Sequence, residues 1–261
     1  LKTRAQTYTV KLLKRKWLSK NTFEIFLSMS PAFAFKPGQR IRLSLEGQER
    51  DYSIVSAPKE SELTLCIRMV AGGKLSVLLS VVDIGTSLIV NGPHGYFTYK
   101  PSPRPAVFVA SGAGIAPFCS MARSGISGFT LLHGVGLPDD LYYASLFRQS
   151  ARKYIPCLTG PTTTRTAGGL DFTARGGKRQ GREVPQSLRV EPESKHPVRE
   201  TQTKKLPANT FKGKVTGYLE QHLTPGAYDF YLCGRSEMIR DVTLLVDERF
   251  PGSLVYTESF Y

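Results

Sequence analysis

The feature that most restricts the fold of this chain is a change of hydrophobic period near residue 100. From Tyr8 to Tyr99, apolar and polar residues alternate in short segments such as Tyr8-Thr9-Val10-Lys11-Leu12, Thr22-Phe23-Glu24-Ile25-Phe26, Arg40-Ile41-Arg42-Leu43-Ser44-Leu45 and Glu62-Leu63-Thr64-Leu65-Cys66-Ile67-Arg68. Pro37-Gly38 and Gly72-Gly73 punctuate them, and Lys74 to Leu79 reads as one helix. Residues two apart share one face of a strand, so this alternation predicts an antiparallel sheet or barrel. Beyond Lys100-Pro101-Ser102-Pro103-Arg104-Pro105, which reads as a linker, the runs Ala106-Val107-Phe108-Val109-Ala110, Phe129-Thr130-Leu131-Leu132-His133 and Asp229-Phe230-Tyr231-Leu232-Cys233 are apolar almost throughout. Parallel strands covered by helices on both faces require such runs. The predicted organisation is a barrel domain over residues 1–100 and an α/β domain over 104–261.

Residues 160–207 share neither texture. They hold six glycines and five prolines, with few large apolar side chains. A segment of that composition cannot bury enough surface to order itself, and it reads as a disordered insertion in the second domain. The net charge of +14 suggests a polyanion partner at first sight. Residues 1–50 carry +8 of it and residues 160–207 carry +5, so the remainder is close to neutral. The basic segments also lack the interleaved aromatics of single-strand-binding surfaces, and nucleic acid is not an expected partner. No apolar run approaches the ~18 residues of a membrane span, and no apolar stretch of signal-peptide type follows the basic start. Cys66, Cys119, Cys157 and Cys233 lie far apart without a C-x-x-C pair, so no zinc or iron–sulfur loop can be read. The expectation is a reduced, cytoplasmic chain without a metal.

Two local motifs carry chemistry. Val107 to Phe118 is a strand, a Gly112-x-Gly114 turn and a helix start at Pro117. Backbone N–H groups at such a helix end can hold a pyrophosphate. A structural turn with proline as an ordinary helix start accounts for the same residues. In Arg50-Asp51-Tyr52-Ser53, Arg50 and Tyr52 share a face, offering a guanidinium to a phosphate and a phenol to an aromatic ring, while Ser53 adds a hydroxyl. A half-buried strand with a surface arginine is the plainer reading of these residues alone.

Taken in order, Arg50-x-Tyr52-Ser53, Gly72-Gly73-Lys74-Leu75-Ser76, Gly92-Pro93-His94-Gly95-Tyr96-Phe97, Gly112-x-Gly114-x-x-Pro117-Phe118, Cys233-Gly234 and the terminal Glu258-Ser259-Phe260-Tyr261 are far more specific. Together they resemble the ferredoxin–NADP(+) reductase superfamily over residues 5–159 and 208–261. The resemblance implies a Greek-key FAD-binding barrel followed by a Rossmann-like NAD(P)-binding domain, with hydride transfer in the cleft between them. It implies that Arg50 contacts the FAD pyrophosphate, Tyr52 packs on the flavin and Ser53 hydrogen-bonds near its N5. Gly72, Gly73 and Ser76 would serve the FAD phosphates, with Lys74 adding charge. Gly112, Gly114 and Pro117 would receive the nicotinamide dinucleotide, and Cys233 would lie beside the nicotinamide. Glu258 would sit near the flavin, with Tyr261 stacked on the ring and moving aside for the nicotinamide. Ser53, Cys233 and Glu258 are the expected catalytic residues.

The sequence departs from the family at the 2′-phosphate site, where Gly136 follows Val135 in place of a frequent arginine. NADP is the expected nucleotide because no acidic residue directly follows the His133 strand, while Asp139 and Asp140 keep NAD open. The family pattern resumes at Phe211-Lys212-Gly213-Lys214-Val215-Thr216. The clustered cysteines of a fused [2Fe–2S] domain are absent, so electrons would pass to a separate partner. A small acidic ferredoxin or flavodoxin drawn to the basic N-terminal segment, or an oxygenase component, is expected. The alternative is a non-catalytic flavin-binding or interaction subunit whose nucleotide site the insertion disrupts.

Overall fold

The computed structural model describes residues 5–30, 32–70, 72–160 and 206–260. Most of the expected insertion at 160–207, and the expected stacking residue Tyr261, lie outside the described residues.

Six antiparallel strands form the first sheet: β1 (Gln6–Ser19), β2 (Thr22–Ser28), β3 (Arg40–Leu45), β4 (Gln48–Ser53), β5 (Glu62–Arg68) and β6 (Ser87–His94), in the order β4-β3-β6-β1-β2-β5. β1 is long enough to pair with β6 through Gln6–Lys11 and with β2 through Leu12–Ser19. An Ile54–Leu65 bridge and a bond from the Val55 N–H to the Thr64 carbonyl join the two outer strands, closing the sheet into a Greek-key barrel. The alternating residues dictate what lies inside: Val10, Leu12, Phe23, Ile25, Leu27, Ile41, Leu43, Leu65 and Val90 make one core. A helix, α1 (Lys74–Val81), follows the Gly72-Gly73 turn and adds Leu75 and Leu79 to that core. Arg15 on β1 holds its C-terminal end, donating to the carbonyls of Leu79 at 2.8 Å and of Val82.

The second sheet is wholly parallel, with β7 (Ala106–Ser111), β8 (Thr130–Val135), β9 (Lys153–Leu158), β10 (Phe211–Lys212), β11 (Asp229–Arg235) and β12 (Leu254–Phe260) in the order β10-β9-β8-β7-β11-β12. Both faces are buried, as the unbroken apolar runs require. Phe108 and Tyr231 on one face pack with Phe118 of α2 (Ala116–Arg123) and Phe147 of α3 (Ala144–Ser150). Val107, Val109 and Phe230 on the other pack with Leu219 of α4 (Val215–His222) and Val242 of α5 (Ser236–Arg249). Strand order reverses between β7 and β11, so a crevice opens beyond their C-terminal ends, at residues 111–114 and 233–235.

The proline-rich connection is packed rather than free. The Tyr99 ring lies 5.8 Å from that of Tyr231, and the Lys100 N–H donates to the Tyr231 hydroxyl at 2.9 Å. The barrel and the parallel sheet also share a core, in which Val55, Cys66 and Phe97 pack with Phe108 and Phe118. Polar ties follow the same seam: Ser120 donates to the Ser56 carbonyl at 2.7 Å, Tyr143 to Glu24 at 2.9 Å and Ser19 to Asp140 at 3.0 Å. This seam explains why Thr22, Glu24, Thr64 and Cys66 are buried although they occupy the polar beat of β2 and β5.

Candidate functional site at the junction of the two sheets

A cavity of about 690 Å³ runs from β4 and α1 across to the ends of β7 and β11, within the size range of cofactor sites. On the barrel side it is lined by Arg50, Tyr52, Ser53, Gly72, Gly73, Lys74 and Ser76, so the structure brings together the barrel residues given a cofactor role, while the Gly92–Phe97 motif lies outside the lining. Arg50 is exposed and donates only to the neighbouring Glu49 carbonyl, at 2.9 Å, with no ion pair among the described residues. Tyr52 is largely buried, which pushes its phenol up to about 12 although the Arg50 charge opposes this. Gly72 has φ +75°, which a side chain would strain, and it turns the chain into α1.

The N-terminal end of α1 has no side-chain cap and no acidic residue in its first turn. Inside that turn the Ser76 hydroxyl is buried without a hydrogen-bond partner. A Cβ on Gly73 would lie 2.8 Å from it. An orphaned buried hydroxyl costs about 1–3 kcal/mol until something bonds to it, and a phosphate oxygen at a helix N-terminus is a fitting partner. Arg50, Arg68, Lys74 and Arg235 line the cavity against the single acid Asp51. These residues fit a dinucleotide cofactor with its pyrophosphate against Gly73 and Ser76.

The nucleotide side depends on close backbone approach. A Cβ on Gly114 would sit 2.2 Å from the Cys233 carbonyl oxygen, and Gly112 turns at φ +53°. Pro117 is buried in the first turn of α2, and its neighbour Ala116 reaches the cavity. His133, not assigned a role from its motif, is fully buried with Nε2 at 3.1 Å from the Gly112 carbonyl. Burial lowers it to about 4, outweighing the Gly112 bond that raises it, so the ring is neutral and its single N–H donates to the glycine turn. A second cavity of about 250 Å³ adjoins the first, sharing Arg68, Ser111 and Arg235 and extending to Thr159, Lys214 and Thr216. Asp140, one of the two acids that kept NAD open, accepts from Ser19 at the seam and does not line this cavity.

Between these halves lies a buried polar contact. Glu258 pairs in register with Cys233 across β11 and β12, and the Ser53 hydroxyl donates to its Oε1 at 2.9 Å. Two of the three expected catalytic groups thus touch across 205 residues of sequence. Cys233 is fully buried, with only the following Gly234 in the cavity lining. Burial, helped by the Glu258 charge, raises its thiol well above the usual range, so it stays protonated. Glu258 is raised above its ordinary 4.5, mainly by burial and also by Asp51, against Ser53 and Arg40, which lower it. Its neutral form is therefore the one that the fold favours, and the associated stability is present below about 4.5 and lost as pH rises through the folded value. Glu258→Gln is expected to gain on the parent as pH rises above 4.5. Melting temperatures of both proteins from pH 4 to 8 check this, and a difference that stays flat would contradict it.

A cleft shared by a closed barrel and a parallel sheet with its crevice at the strand-order reversal is the architecture of two-domain flavin- and nicotinamide-dependent oxidoreductases. Residues 9–99 match the family described as "Oxidoreductase FAD-binding domain". Among curated proteins, the chain is 27% identical over 258 residues to the toluate 1,2-dioxygenase electron transfer component of Pseudomonas putida, covering 93% of this chain and 64% of that protein. It is 38% identical over 132 residues to ferredoxin–NADP reductase B of Sorangium cellulosum, covering 46% of this chain and 54% of that one. The chain thus spans less than two thirds of the length of either relative. Its fold superposes on the crystal structure of a ferredoxin NADP+ reductase from Neisseria gonorrhoeae with bound FAD and NADP, with a TM-score of 0.69 at 19% identity over 99% of this chain and 100% of that one. The first sheet thus carries the match to an oxidoreductase FAD-binding domain, and the chain as a whole has the fold of a ferredoxin NADP+ reductase.

Proposed function

We propose that this chain is an FAD-dependent NAD(P)H oxidoreductase that passes electrons from a nicotinamide nucleotide to a separate acceptor, either of ferredoxin or flavodoxin type or an oxygenase component. The observation that carries the reading is the continuity of the two cavities, which meet at Arg68, Ser111 and Arg235 beside the Ser53–Glu258 pair. The names of the relatives support the oxygenase or ferredoxin destination. Lys11, Lys14 and Lys20 are exposed on and beyond β1 and offer an acidic partner a basic approach. Among the described residues no helix is long and apolar enough to cross a membrane. The cytoplasm is the compartment proposed, supported by four cysteines that are all buried and unpaired.

In this reading the barrel holds and the parallel sheet delivers. The Ser76 hydroxyl and the first-turn N–H groups of α1 would bond the cofactor's phosphates, Arg50 and Lys74 would neutralise them, and Tyr52 would pack against the ring system, while the Gly73 N–H is held by the Val70 carbonyl at 3.0 Å. When bound, FAD takes up an electron pair as hydride and releases electrons singly, chemistry the protein orients rather than performs. Glu258, protonated more readily than an ordinary carboxylate, and Ser53, which donates to it, are the groups placed to hold or pass a proton at Glu258 Oε1. The neutral thiol of Cys233 stands beside Glu258 in the strand register and belongs to the buried core that the barrel shares with the parallel sheet.

Arg68, Lys214 and Arg235 are the cations of the second cavity, against Glu237 and Asp241, and of the three only Lys214 lies outside the first cavity. Lys214 stands at the start of α4, whose first turn has no acid, and we assign it to the 2′-phosphate of NADP. Anaerobic addition of NADPH to the purified chain reconstituted with FAD should bleach the flavin absorbance. A protein that neither binds FAD nor loses its colour with either nucleotide ends the proposal. Lys214→Ala should raise the KM for NADPH about tenfold, the loss of one charge-assisted bond, and leave that for NADH unchanged. An equal effect on both would remove Lys214 from nucleotide discrimination.

A further inference from the structure

Arg40 carries none of the roles the motifs suggest, yet it occupies the centre of the charged groups behind Glu258. It stands opposite Ser53 in the β3–β4 register, with Arg42 opposite Asp51 on the same face. Its Nε lies 3.2 Å from Asp51 Oδ2, and its Nη1 lies 3.6 Å from Glu258 Oε2. Arg42 gives Asp51 a second cation at 2.8 Å, whereas Arg40 is the one cation that pairs with Glu258 among the described residues. One guanidinium therefore serves two carboxylates, of which only the outer has another source of positive charge. Asp51 is partly exposed and Glu258 is buried, their side chains 32% and 6% accessible.

The turn after β6 is shaped around this arrangement. A Cβ on Gly95 would lie 2.8 Å from Arg40 Nη1 and 3.6 Å from Glu258 Oε2. His94, which precedes it, is turned away to Asn91, at 2.7 Å. The groups that act on Glu258 are thus Arg40 from β3, Asp51 and Ser53 from β4, and Cys233 from β11. An opposite charge at this range favours an ionised carboxylate, and a like charge disfavours it.

We propose that Arg40 is a positioning residue for Glu258, steering its carboxylate onto the Ser53 hydroxyl, and that Asp51 sets how firmly Glu258 holds a proton by competing for Arg40. The network stands on this geometry alone, while its use in catalysis rests on the reading of Glu258 as a group at the flavin site. Arg40→Gln takes away the cation and leaves the Asp51 charge, so Glu258 keeps its proton to higher pH. Asp51→Asn takes away the like charge and leaves Arg40 wholly to Glu258, so the proton is lost at lower pH. The two changes act in opposite directions, which loosened packing would not do.

The test is a carbon-13 NMR titration of the full chain labelled at glutamate Cδ, with Glu258→Gln identifying the resonance. Arg40→Gln should raise the Glu258 midpoint by about one pH unit, Asp51→Asn should lower it, and Arg40→Lys should return it towards the parent value. Midpoints that stay put, or that move in the same direction in Arg40→Gln and Asp51→Asn, overturn the proposal. The pH profile of flavin reduction by NADPH in the FAD-loaded variants is the second readout. Opposed NMR shifts with an unmoved profile support the network and overturn only the catalytic reading of Glu258.

Discussion

Gly114→Ala is expected to cost about 3 kcal/mol and to end reduction by NADPH while FAD binding persists. The added methyl would lie 2.2 Å from the Cys233 carbonyl oxygen, 2.6 Å from its carbon and 2.7 Å from the Gly234 Cα. All three are backbone atoms, which cannot swing aside as a side-chain end does. Gly234 repeats the constraint from the other side, at φ +136°, where an added Cβ would lie 2.2 Å from the Ser111 hydroxyl. The turn after β7 and the end of β11 therefore meet backbone to backbone. Relief requires separating two strands that pair from Asp229–Ala106 to Cys233–Ala110. Such overpacking belongs at the upper end of the usual 1–3 kcal/mol. The barrel residues around Ser76 are not among the atoms crowded, so a variant that still binds FAD but is no longer bleached by NADPH is the expected result. Gly136→Ala is the control: nothing lies within 4 Å of its Cβ, and a change within about 0.5 kcal/mol is expected. Equal thermal melting of Gly114→Ala and the parent, with NADPH still effective, would refute the close approach.

The fold was legible because each sheet's environment is written into its period. Ile41 and Leu43 face the barrel core while Arg40 and Arg42 face out, and Phe108 and Val109 are both buried because helices cover both sides of β7. The motif residues were legible as far as they repeat a family pattern: Arg50, Tyr52, Ser53, Gly73, Lys74 and Ser76 converge on one cavity. What local sequence could not supply was pairing at a distance. Arg40 gains its meaning from the register that faces it with Ser53 and sets it diagonal to Asp51, and from Glu258 on the last strand. His133 reads only as the last residue of an apolar strand run, and the fold alone directs its ring at the Gly112 carbonyl. Asp140 is acidic and close in sequence to β8, yet the seam with β1 takes its carboxylate away from the nucleotide cavity. Glu24 shows the same limit: alternation assigns it to a wet face, and Tyr143 covers it.

The stretch from Lys100 to Pro105 reads as a linker, and its one arginine is expected to prove the costliest surface-accessible residue to replace. Arg104 Nε lies 2.6 Å from Oδ1 of Asp229, whose side chain is 2% exposed at the start of β11. The other carboxylate oxygen, Oδ2, is buried without a partner. The Asp229 N–H donates to the Pro105 carbonyl at 3.1 Å, so the same residue also fixes the backbone of the stretch. Arg104→Met removes the cation and leaves the carboxylate buried. Breaking a buried pair in this way costs roughly 3–5 kcal/mol, and the 32% exposure of Arg104, which lets water near the carboxylate, places the loss near the lower figure, about 3 kcal/mol. Converting both residues, as Arg104→Met with Asp229→Leu, removes the stranded charge together with its partner and should recover much of the loss, since apolar replacement of a whole pair is often neutral. Urea unfolding of the parent, the two single variants and the double variant closes the cycle. A single Arg104→Met loss below about 1 kcal/mol, the level of an exposed pair, would mean that water already solvates Asp229. A coupling above that level would mean that the connection between barrel and parallel sheet is held by one buried charge, which a proline-rich composition alone would not reveal.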